Sequence, residues 1–192
     1  MPTSKKIQEN TTALCGIDEA GRGPLAGSLV MAGVVLKQEI EGLMDSKKLT
    51  EKKREALYPL IIANSHYHIV SFSAKDIDTK GISACLSQGL REIQQNLPHC
   101  DYLFDGNSSF GVDNISTMVK ADTKIPEVSA GSILAKVTHD REMIEFSKIY
   151  PQYGFEKHKG YGTQAHREAI LKHGRCPVHR YTFKVKGLEE KT

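Results

Sequence analysis

The order of the elements predicted from the sequence indicates an α/β protein, with a sheet that carries helices on both faces. Three strand-like segments form a predicted meander, and the short turn between the first two favours an antiparallel hairpin. Further on, strand-like segments alternate with segments of helical periodicity, an order typical of a sheet covered by helices. The chain of 192 residues has no internal repeat and no long linker, so we expect a single domain.

The strands are predicted from short segments that are apolar or that alternate apolar and polar residues. The second is rich in Val, Leu and Met, and the third alternates. The fourth ends at Asp105, where Gly106 and Asn107 signal a turn. The predicted strands cover residues 13–17, 28–36, 66–73, 102–104 and 115–119.

The helices are predicted from apolar residues at helical spacing and from the residues at their ends. Thr50 is the expected N-cap of a helix that runs to about residue 64, and Gly174 ends a helix over residues 163–173. Another helix is predicted over residues 82–96. The longest covers residues 127–146, where one stripe consists of Ala130, Ile133, Leu134, Val137, Arg141 and Ile144, with Asp140 at its edge.

Composition argues against several classes of protein. Hydrophobic residues make up 39% of the chain and charged residues 26%, as in ordinary globular proteins. We find neither the apolar region of a secretory signal nor an apolar run that could span a bilayer, so we expect no membrane association and a cytoplasmic location. The cysteines lack the paired spacing of a zinc site, and we expect reduced thiols at Cys15, Cys85, Cys100 and Cys176.

Charge is distributed unevenly along the chain. Residues 1–147 contain 16 Lys and Arg against 19 Asp and Glu, whereas residues 148–192 contain 10 against 4. An acidic body with a basic C-terminal end would suit a metal centre beside a surface that binds a polyanion.

Asp18 and Glu19 form an acid pair after the first predicted strand, within the string GIDEAGRGP at residues 16–24. Neighbouring side chains of a strand point to opposite faces, so one carboxylate can face a cleft while the other reaches its rim or a second ion. Gly21 and Gly23 let the backbone approach a ligand, and Arg22 offers a forked donor that suits phosphate. An isolated acid pair is usually a charged turn, but the whole string favours a cation site.

This string resembles the opening motif of ribonuclease HII, the prokaryotic type 2 ribonuclease H. Five further blocks resemble motifs of the same family and occur in the family's order, so that the resemblance extends from about residue 14 to about residue 183. The related type HIII enzymes carry an extra N-terminal domain and lack the Gly-Arg-Gly element, so type HII fits better. The blocks begin at Asp45, Phe104, Lys120, Val128 and Lys159.

The resemblance implies a ribonuclease H-like mixed sheet flanked by helices. It implies one catalytic domain over residues 1–192, with a core at residues 13–150 and a basic, helical C-terminal extension at residues 151–192. It assigns both catalysis and metal binding to Asp18, Glu19, Asp105 and Asp122. The implied activity is endonucleolytic hydrolysis of the RNA strand of RNA–DNA hybrids, including single ribonucleotides embedded in DNA, which leaves a 3′-hydroxyl and a 5′-phosphate.

The residues themselves support a metal centre. Asp18, Asp105 and Asp122 each lie at or just past the end of a predicted strand, and such ends line the ligand crevice of α/β sheets. Converging carboxylates would raise one another's pKa unless cations intervened. Oxygen ligands without His or Cys select Mg²⁺ or Mn²⁺, and two such ions roughly 4 Å apart can cleave a phosphodiester.

Two positions leave alternatives open. Asp140 competes as a ligand, but its place inside a predicted helix and next to Arg141 favours a structural ion pair. Gly131 stands where the family commonly has Ala, and glycine inside a helix costs about 1 kcal/mol, so this departure bears on stability.

Several residues are candidates for contact with nucleic acid. The backbone of the Gly-Arg-Gly loop (Gly21–Gly23) can donate to and accept from a 2′-hydroxyl, the group that distinguishes RNA from DNA. Ser46 and Lys47, with Lys48, could contact phosphates, whereas Lys52, Lys53 and Arg54 fit a solvated helix face. Tyr161 lies between two glycines and could stack on a base or sugar. By resemblance, it packs on the deoxyribose next to the scissile junction. We interpret His158, His166, His173 and His179 as surface or phosphate-facing groups.

These observations predict a monomeric hybrid nuclease that uses Mn²⁺ or Mg²⁺. One alternative is a catalytically silent hybrid-binding module, which the presence of all four acids disfavours. Another is a transposase- or resolvase-like nuclease of the same fold. An enzyme that acts only on DNA, however, has no need of a loop that recognises a 2′-hydroxyl.

Overall fold

A computed structural model describes residues 12–44 and 49–188 of the chain. Five strands form one sheet, and six α-helices are present in these residues, with 3₁₀ turns at Ala121–Thr123 and Pro151–Tyr153. The strands are β1 (Ala13–Ala20), β2 (Leu29–Leu36), β3 (Ser65–Phe72), β4 (Cys100–Asp105) and β5 (Ile115–Met118). The helices are α1 (Glu51–Ala63), α2 (Ala74–Lys80), α3 (Ile82–Asn96), α4 (Pro126–Ile149), α5 (Phe155–His158) and α6 (Gln164–His173).

The sheet is mixed and has the strand order β3-β2-β1-β4-β5. Strands β1, β2 and β3 form an antiparallel meander, whereas β4 pairs parallel with β1 and β5 pairs parallel with β4. Strand β1 is therefore central, with Asp18 opposite Ala32 of β2 and Ile17 opposite Phe104 of β4. The predicted α/β class, the antiparallel hairpin and the meander are confirmed.

Each face of the sheet packs against helices because β1 and β2 carry apolar side chains toward both layers. Cys15 and Ile17 of β1 join a core that includes Leu86 and Leu90 of α3. On the opposite face, Val30 and Ala32 of β2 pack with α1 and α4. A third apolar cluster joins the end of α4 to the C-terminal elements, through Met143, Tyr153, Phe155, Ile170 and Cys176.

The positions of the helices and strands largely agree with those predicted from the sequence, with three informative differences. The first strand does not end at residue 17 but continues to Ala20, since Asp18 and Glu19 still pair with β2. Helix α2 was not predicted; it has seven residues and is specified by a capping box between Ser73 and Asp76 rather than by apolar periodicity. The four-residue helix α5 and the 3₁₀ turns were also missed.

The four cysteines are free, and three of them are buried. Among the described residues, no helix is both long enough and apolar enough to cross a membrane.

Candidate active site

Three carboxylates from distant parts of the chain converge near the carboxyl-terminal ends of strands β1 and β4. Asp18, Asp105 and Asp122 each offer an oxygen, and these oxygens lie within 4.8 Å of one another. Asp105 ends β4, as predicted. Asp18 instead lies inside β1, three residues before Gly21, where the turn after that strand begins. Asp122 belongs to the 3₁₀ turn that follows β5. The structure thus brings together three of the four predicted site acids.

Asp105 is oriented by the backbone that carries Asp122. Its Oδ1 accepts a hydrogen bond from the Lys120 amide at 3.1 Å, and its Oδ2 accepts one from the Asp122 amide at 3.0 Å. Lys120 adopts a left-handed conformation with φ 59°, which turns the chain after β5 toward the carboxylate. The turn and the strand end therefore form one unit that holds both acids.

Glu19, the fourth predicted acid, lies beside this group and bonds to the neighbouring loop. Its Oε1 is 2.5 Å from Nη2 of Arg22. Its Oε2 is buried and has no hydrogen-bond partner among the described residues. A buried carboxylate oxygen without a partner is energetically costly, and binding of a cation to this oxygen would remove that cost.

Burial and mutual repulsion perturb these acids in the direction expected of a metal centre. Burial, followed by the charges of Glu19 and Asp105, raises the pKa of Asp18 well above its usual range. Burial also raises the pKa of Glu19, although the Arg22 charge opposes it. The pKa of Asp122 is raised by burial and by the hydrogen bond and charge of Asp105. The donor set consists of carboxylate oxygens, which suits hard divalent cations.

Asp140 lies outside this group and is bound by its own helix. Its Oδ1 is 2.9 Å from Lys136 Nζ and 3.2 Å from His139 Nδ1. Although burial raises the pKa of Asp140, hydrogen bonds from His139 and Lys136 outweigh it and hold the pKa below its usual value. The expected ion pair is thus present, but its partner is Lys136, since Arg141 pairs with Glu55.

The Gly-Arg-Gly loop (Gly21–Gly23) needs glycine at its first position. Gly21 has φ +87°, and a methyl group there would overlap Ser28 O and lie 2.7 Å from Cδ2 of His139. Beneath the loop, the buried Arg180 side chain donates to the carbonyls of Gly21 and Arg22. The loop is therefore held rigidly from its buried side, which leaves its outer side free for a ligand.

Tyr161 lies against the same loop. A methyl group on Gly23 would be 3.9 Å from Cε1 of Tyr161. The tyrosine ring is 42% exposed, with Lys136 Nζ 5.6 Å from its centroid and the His139 ring packed edge-on at 6.5 Å. The two elements predicted to recognise the sugar thus form one continuous surface.

Other predicted contacts have different outcomes. Ser46 and Lys47, like Asp45 and Lys48, lie outside the described residues. The interpretation of the histidines as surface groups is wrong for two of them, since His166 and His179 are 0% and 1% exposed. They are buried because each ring nitrogen finds a hydrogen-bond partner within the C-terminal extension.

Sequence reasoning missed His139 and Arg180, which support the loop. His139 is buried in α4 next to Asp140, the residue predicted at the edge of the apolar stripe, and its Nε2 has no partner among the described residues. Arg180 is buried among backbone carbonyls contributed by residues more than 150 positions earlier. Neither residue belongs to a local pattern that could have marked it.

Comparison with known proteins agrees with this geometry. The family model described as ribonuclease HII matches residues 15–186. The chain belongs to the ribonuclease HII family. A ribonuclease HII of Sulfurovum sp. (strain NBC37-1) is 70% identical over 186 residues, which cover 97% of this chain and 99% of that protein.

Solved structures extend the likeness to the fold. A ribonuclease HII of Archaeoglobus fulgidus, whose structure was determined in complex with PCNA, is 30% identical and superimposes with a TM-score of 0.77, covering 94% of this chain and 98% of its own. A Bst-RNase HIII in complex with Mn²⁺ is 17% identical, with a TM-score of 0.63 and coverage of 87% and 64%, and shows the fold alone. The fold is ribonuclease H-like, as expected.

Membership of the ribonuclease HII family makes the chain an endoribonuclease that hydrolyses RNA in RNA–DNA hybrids. This decides against a catalytically silent binding module. In this family member, Asp18, Asp105 and Asp122 form a group of carboxylates that could hold a metal ion.

Proposed function

We propose that the chain is a metal-dependent endonuclease that cleaves RNA in hybrids and single ribonucleotides in duplex DNA, leaving 3′-hydroxyl and 5′-phosphate ends. The observation that carries this proposal is the convergence of Asp18, Asp105 and Asp122, whose oxygens approach within 4.8 Å. Such a group of partly buried acids is unfavourable by itself and becomes favourable when cations neutralise it.

We propose Asp18, Glu19, Asp105 and Asp122 as the groups that hold the metal. The carboxylate donor set and the unpartnered Glu19 Oε2 support Mg²⁺ or Mn²⁺, and Mn²⁺ is bound by the HIII protein of the same fold. A pair of such ions would lower the pKa of an attacking water and stabilise the leaving oxygen. The protein contributes a rigid cluster, since Asp105 is fixed by two amides.

The Gly-Arg-Gly loop and Tyr161 are proposed to select the cleavage site. The loop offers backbone donors and acceptors to a 2′-hydroxyl, while the half-exposed Tyr161 ring can pack on the next deoxyribose. The pair therefore favours RNA on one side of the cut and DNA on the other, without excluding a long hybrid. Ser46 and Lys47 remain proposed phosphate contacts that would position the duplex.

We further propose that residues 1–192 act as one catalytic domain and as a monomer, with a core at 13–150 and a basic extension at 151–192. The contacts from Arg180 to Gly21 of the loop, and from Val178 to Gly27 after the loop, support a single unit. Four free cysteines support a reducing location such as the cytoplasm.

Replacement of a proposed ligand should separate cleavage from binding. We expect Asp18→Asn and Asp105→Asn to abolish cleavage while hybrid binding stays within about threefold, since the amide keeps the shape but loses the charge that holds the cation. Cleavage and gel-shift assays with Mn²⁺ on one preparation test this. Asp101→Asn, an exposed acid on the same strand as Asp105, is the matched control and should leave both unchanged. Near-normal turnover of either ligand variant would exclude the metal assignment.

Replacement of Tyr161 should affect substrates unequally. We expect Tyr161→Ala to lose about ten- to hundredfold in activity on DNA with a single ribonucleotide, cut on its 5′ side, and much less on a long hybrid, because stacking is worth about 1–3 kcal/mol. Tyr67→Ala, at an equally exposed tyrosine (40%) on β3, is the control. Equal losses on both substrates would mean that Tyr161 supports the fold or general binding.

A further inference from the structure

One short segment of the C-terminal extension, residues 176–180, is linked to both elements of the proposed sugar-recognition surface, which are the Gly-Arg-Gly loop and Tyr161. It binds the loop directly through Arg180 and is linked to Tyr161 through His166. Its backbone runs beside the chain that leaves the Gly-Arg-Gly loop: Gly27 N donates to Val178 O at 2.9 Å, and Arg180 N donates to Leu25 O at 2.8 Å. Leu25 N in turn donates to Gly160 O at 2.8 Å, next to Tyr161. The loop and Tyr161 are thus joined through a common backbone.

Arg180 forms the connection to the loop. Its side chain is 1% exposed, and its guanidinium donates to the carbonyl oxygens of Gly27 at 3.0 Å, Arg22 at 3.1 Å and Gly21 at 2.5 Å. Burial lowers the pKa of Arg180 to about 10, so it remains charged at neutral pH. Two carbonyls of the loop and that of Gly27 thus surround one rigid guanidinium, which fixes the orientation of these peptide groups.

A pair of buried histidines forms the connection to Tyr161, and the hydrogen bonds determine their tautomers. Cys176 N donates to His179 Nδ1 at 2.9 Å, so the proton of neutral His179 is on Nε2. That nitrogen is 3.0 Å from His166 Nε2, which must accept, and the proton of His166 is therefore on Nδ1. His166 Nδ1 then donates to Tyr161 O at 2.9 Å. Burial holds the pKa of both histidines near 4, in accord with neutral rings.

We propose that Arg180 and the His166–His179 pair are positioning residues that set the Gly-Arg-Gly loop and the Tyr161 ring at the separation required by an RNA–DNA junction. The inference rests on the proposed function, because it assigns the geometry of the same surface. None of these side chains reaches the acid group, so they should influence which sugar is accepted and leave the hydrolytic step intact.

Two replacements of His166 with similar shape each keep one of its two side-chain hydrogen bonds and remove the other. In His166→Asn, the amide reproduces Nδ1 and can still donate to Tyr161 O, but it loses His179. In His166→Gln, the amide reproduces Nε2 and can still accept from His179, but it loses Tyr161. Each variant loses one buried hydrogen bond, so we expect similar falls in Tm.

Their activities should differ. We expect His166→Gln to reduce kcat/KM on DNA with a single ribonucleotide by about tenfold relative to a long hybrid, whereas His166→Asn keeps the wild-type ratio. A purely structural role predicts that both variants lose activity in proportion to Tm and with an unchanged ratio. That result would overturn the assignment to His166.

Arg180 is tested against a second arginine of the extension. Arg175 donates to the carbonyls of Tyr181 and Phe183 but does not contact the loop. We expect Arg180→Lys to lower the ratio of activities on the two substrates by about tenfold, because a point charge cannot hold three divergent carbonyls, and Arg175→Lys to leave it unchanged. Equal ratios in the two variants would overturn the role of Arg180, whether or not the histidine variants fold.

Failure of the inference is distinguishable from failure of the proposed function. If wild type shows no preference for the single ribonucleotide, the proposed recognition of the junction by the loop and Tyr161 fails before any variant is compared, while the proposed nuclease activity is tested by the acid variants. If wild type shows the preference and His166→Gln and Arg180→Lys keep it, the proposed function stands and the positioning role is wrong.

Discussion

At the scale of single residues, the acid group holds carboxylates that destabilise one another unless metal is bound. Asp18 is buried and faces the charges of Glu19 and Asp105, so its pKa is raised. An unfolded aspartate has a pKa of about 3.9. The folded protein without metal therefore binds the Asp18 proton more tightly than the unfolded chain does, and its stability falls as pH rises through the range between the two values.

Removal of this charge should stabilise the metal-free protein. We expect Asp18→Asn to raise Tm in EDTA at pH 7 by at least about 2 °C, roughly the effect of 1 kcal/mol in a domain of this size. The difference should largely vanish near pH 3, about one unit below the unfolded pKa, where the wild-type carboxyl is mostly protonated in both states. Thermal melts at the two pH values measure this, with Asp101→Asn as the exposed control. A lower Tm for Asp18→Asn at pH 7 would contradict the repulsion.

The sequence predicted the acids well and their supporting residues poorly. Asp105 is marked locally by the end of an apolar strand and the following turn. The partners of Arg180 lie about 150 residues away in sequence, so no local pattern could reveal them. His166 and His179 were interpreted as surface groups because they occur in a basic, polar stretch, yet complementary tautomers satisfy both rings in the interior.

At the scale of elements, the site depends on the close packing of α4 on β1. A methyl group on Gly16 would overlap the backbone of Glu127 and Val128. One on Gly131 would lie 2.9 Å from Ala32 O and 3.3 Å from Asp18 N. Gly131, noted in the sequence as a departure from the family, thus allows the helix to approach the strand beside Asp18.

Alanine at these two glycines should destabilise to different degrees. We expect Gly16→Ala to cost about 3 kcal/mol or more, because neither backbone can yield without separating the elements. For Gly131→Ala, a gain of about 1 kcal/mol in helix propensity offsets part of the strain, so we expect a net loss near 1 kcal/mol. Urea denaturation compares them, with Ser83→Ala at an exposed position of α3 as control. A smaller loss for Gly16→Ala than for Gly131→Ala would contradict this packing.

Longer elements were predictable because their apolar residues recur over several turns, and α1, α3, α4 and α6 were all anticipated. Short ones were not. Asp122 was placed after a strand but not in the 3₁₀ turn that orients it toward Asp105. Such a turn is specified by a left-handed residue and by tertiary hydrogen bonds, which leave little trace in composition.

At the scale of the whole molecule, the basic extension has fewer free cations than its sequence suggests. Arg180 is buried, and Arg175 binds backbone carbonyls. Lys159 Nζ donates to Glu156 O and is 3.8 Å from Glu51. Lys157 and Lys184 are exposed and remain the better candidates for phosphate contacts. Removal of the extension after about Tyr150 would also remove Arg180, so truncation alone cannot report on charge.

The salt dependence of binding should respond to these lysines. We expect Lys157→Gln with Lys184→Gln to reduce the slope of log K against log[salt] by up to about 1 per lysine, because each phosphate contact releases a counterion. Titrations with labelled hybrid at several salt concentrations measure the slope. Lys37→Gln, after the end of β2 remote from the acids, should not alter it. An unchanged slope in the double variant would show that these lysines do not touch the backbone.

The hydrogen bond from Arg180 to Gly21 joins residues 159 positions apart. During translation, every strand of the described sheet and all three converging acids are made before the Arg180 guanidinium that binds the loop. Asp18, Asp105 and Asp122 can therefore be placed together before the side chain that orients the loop has been made.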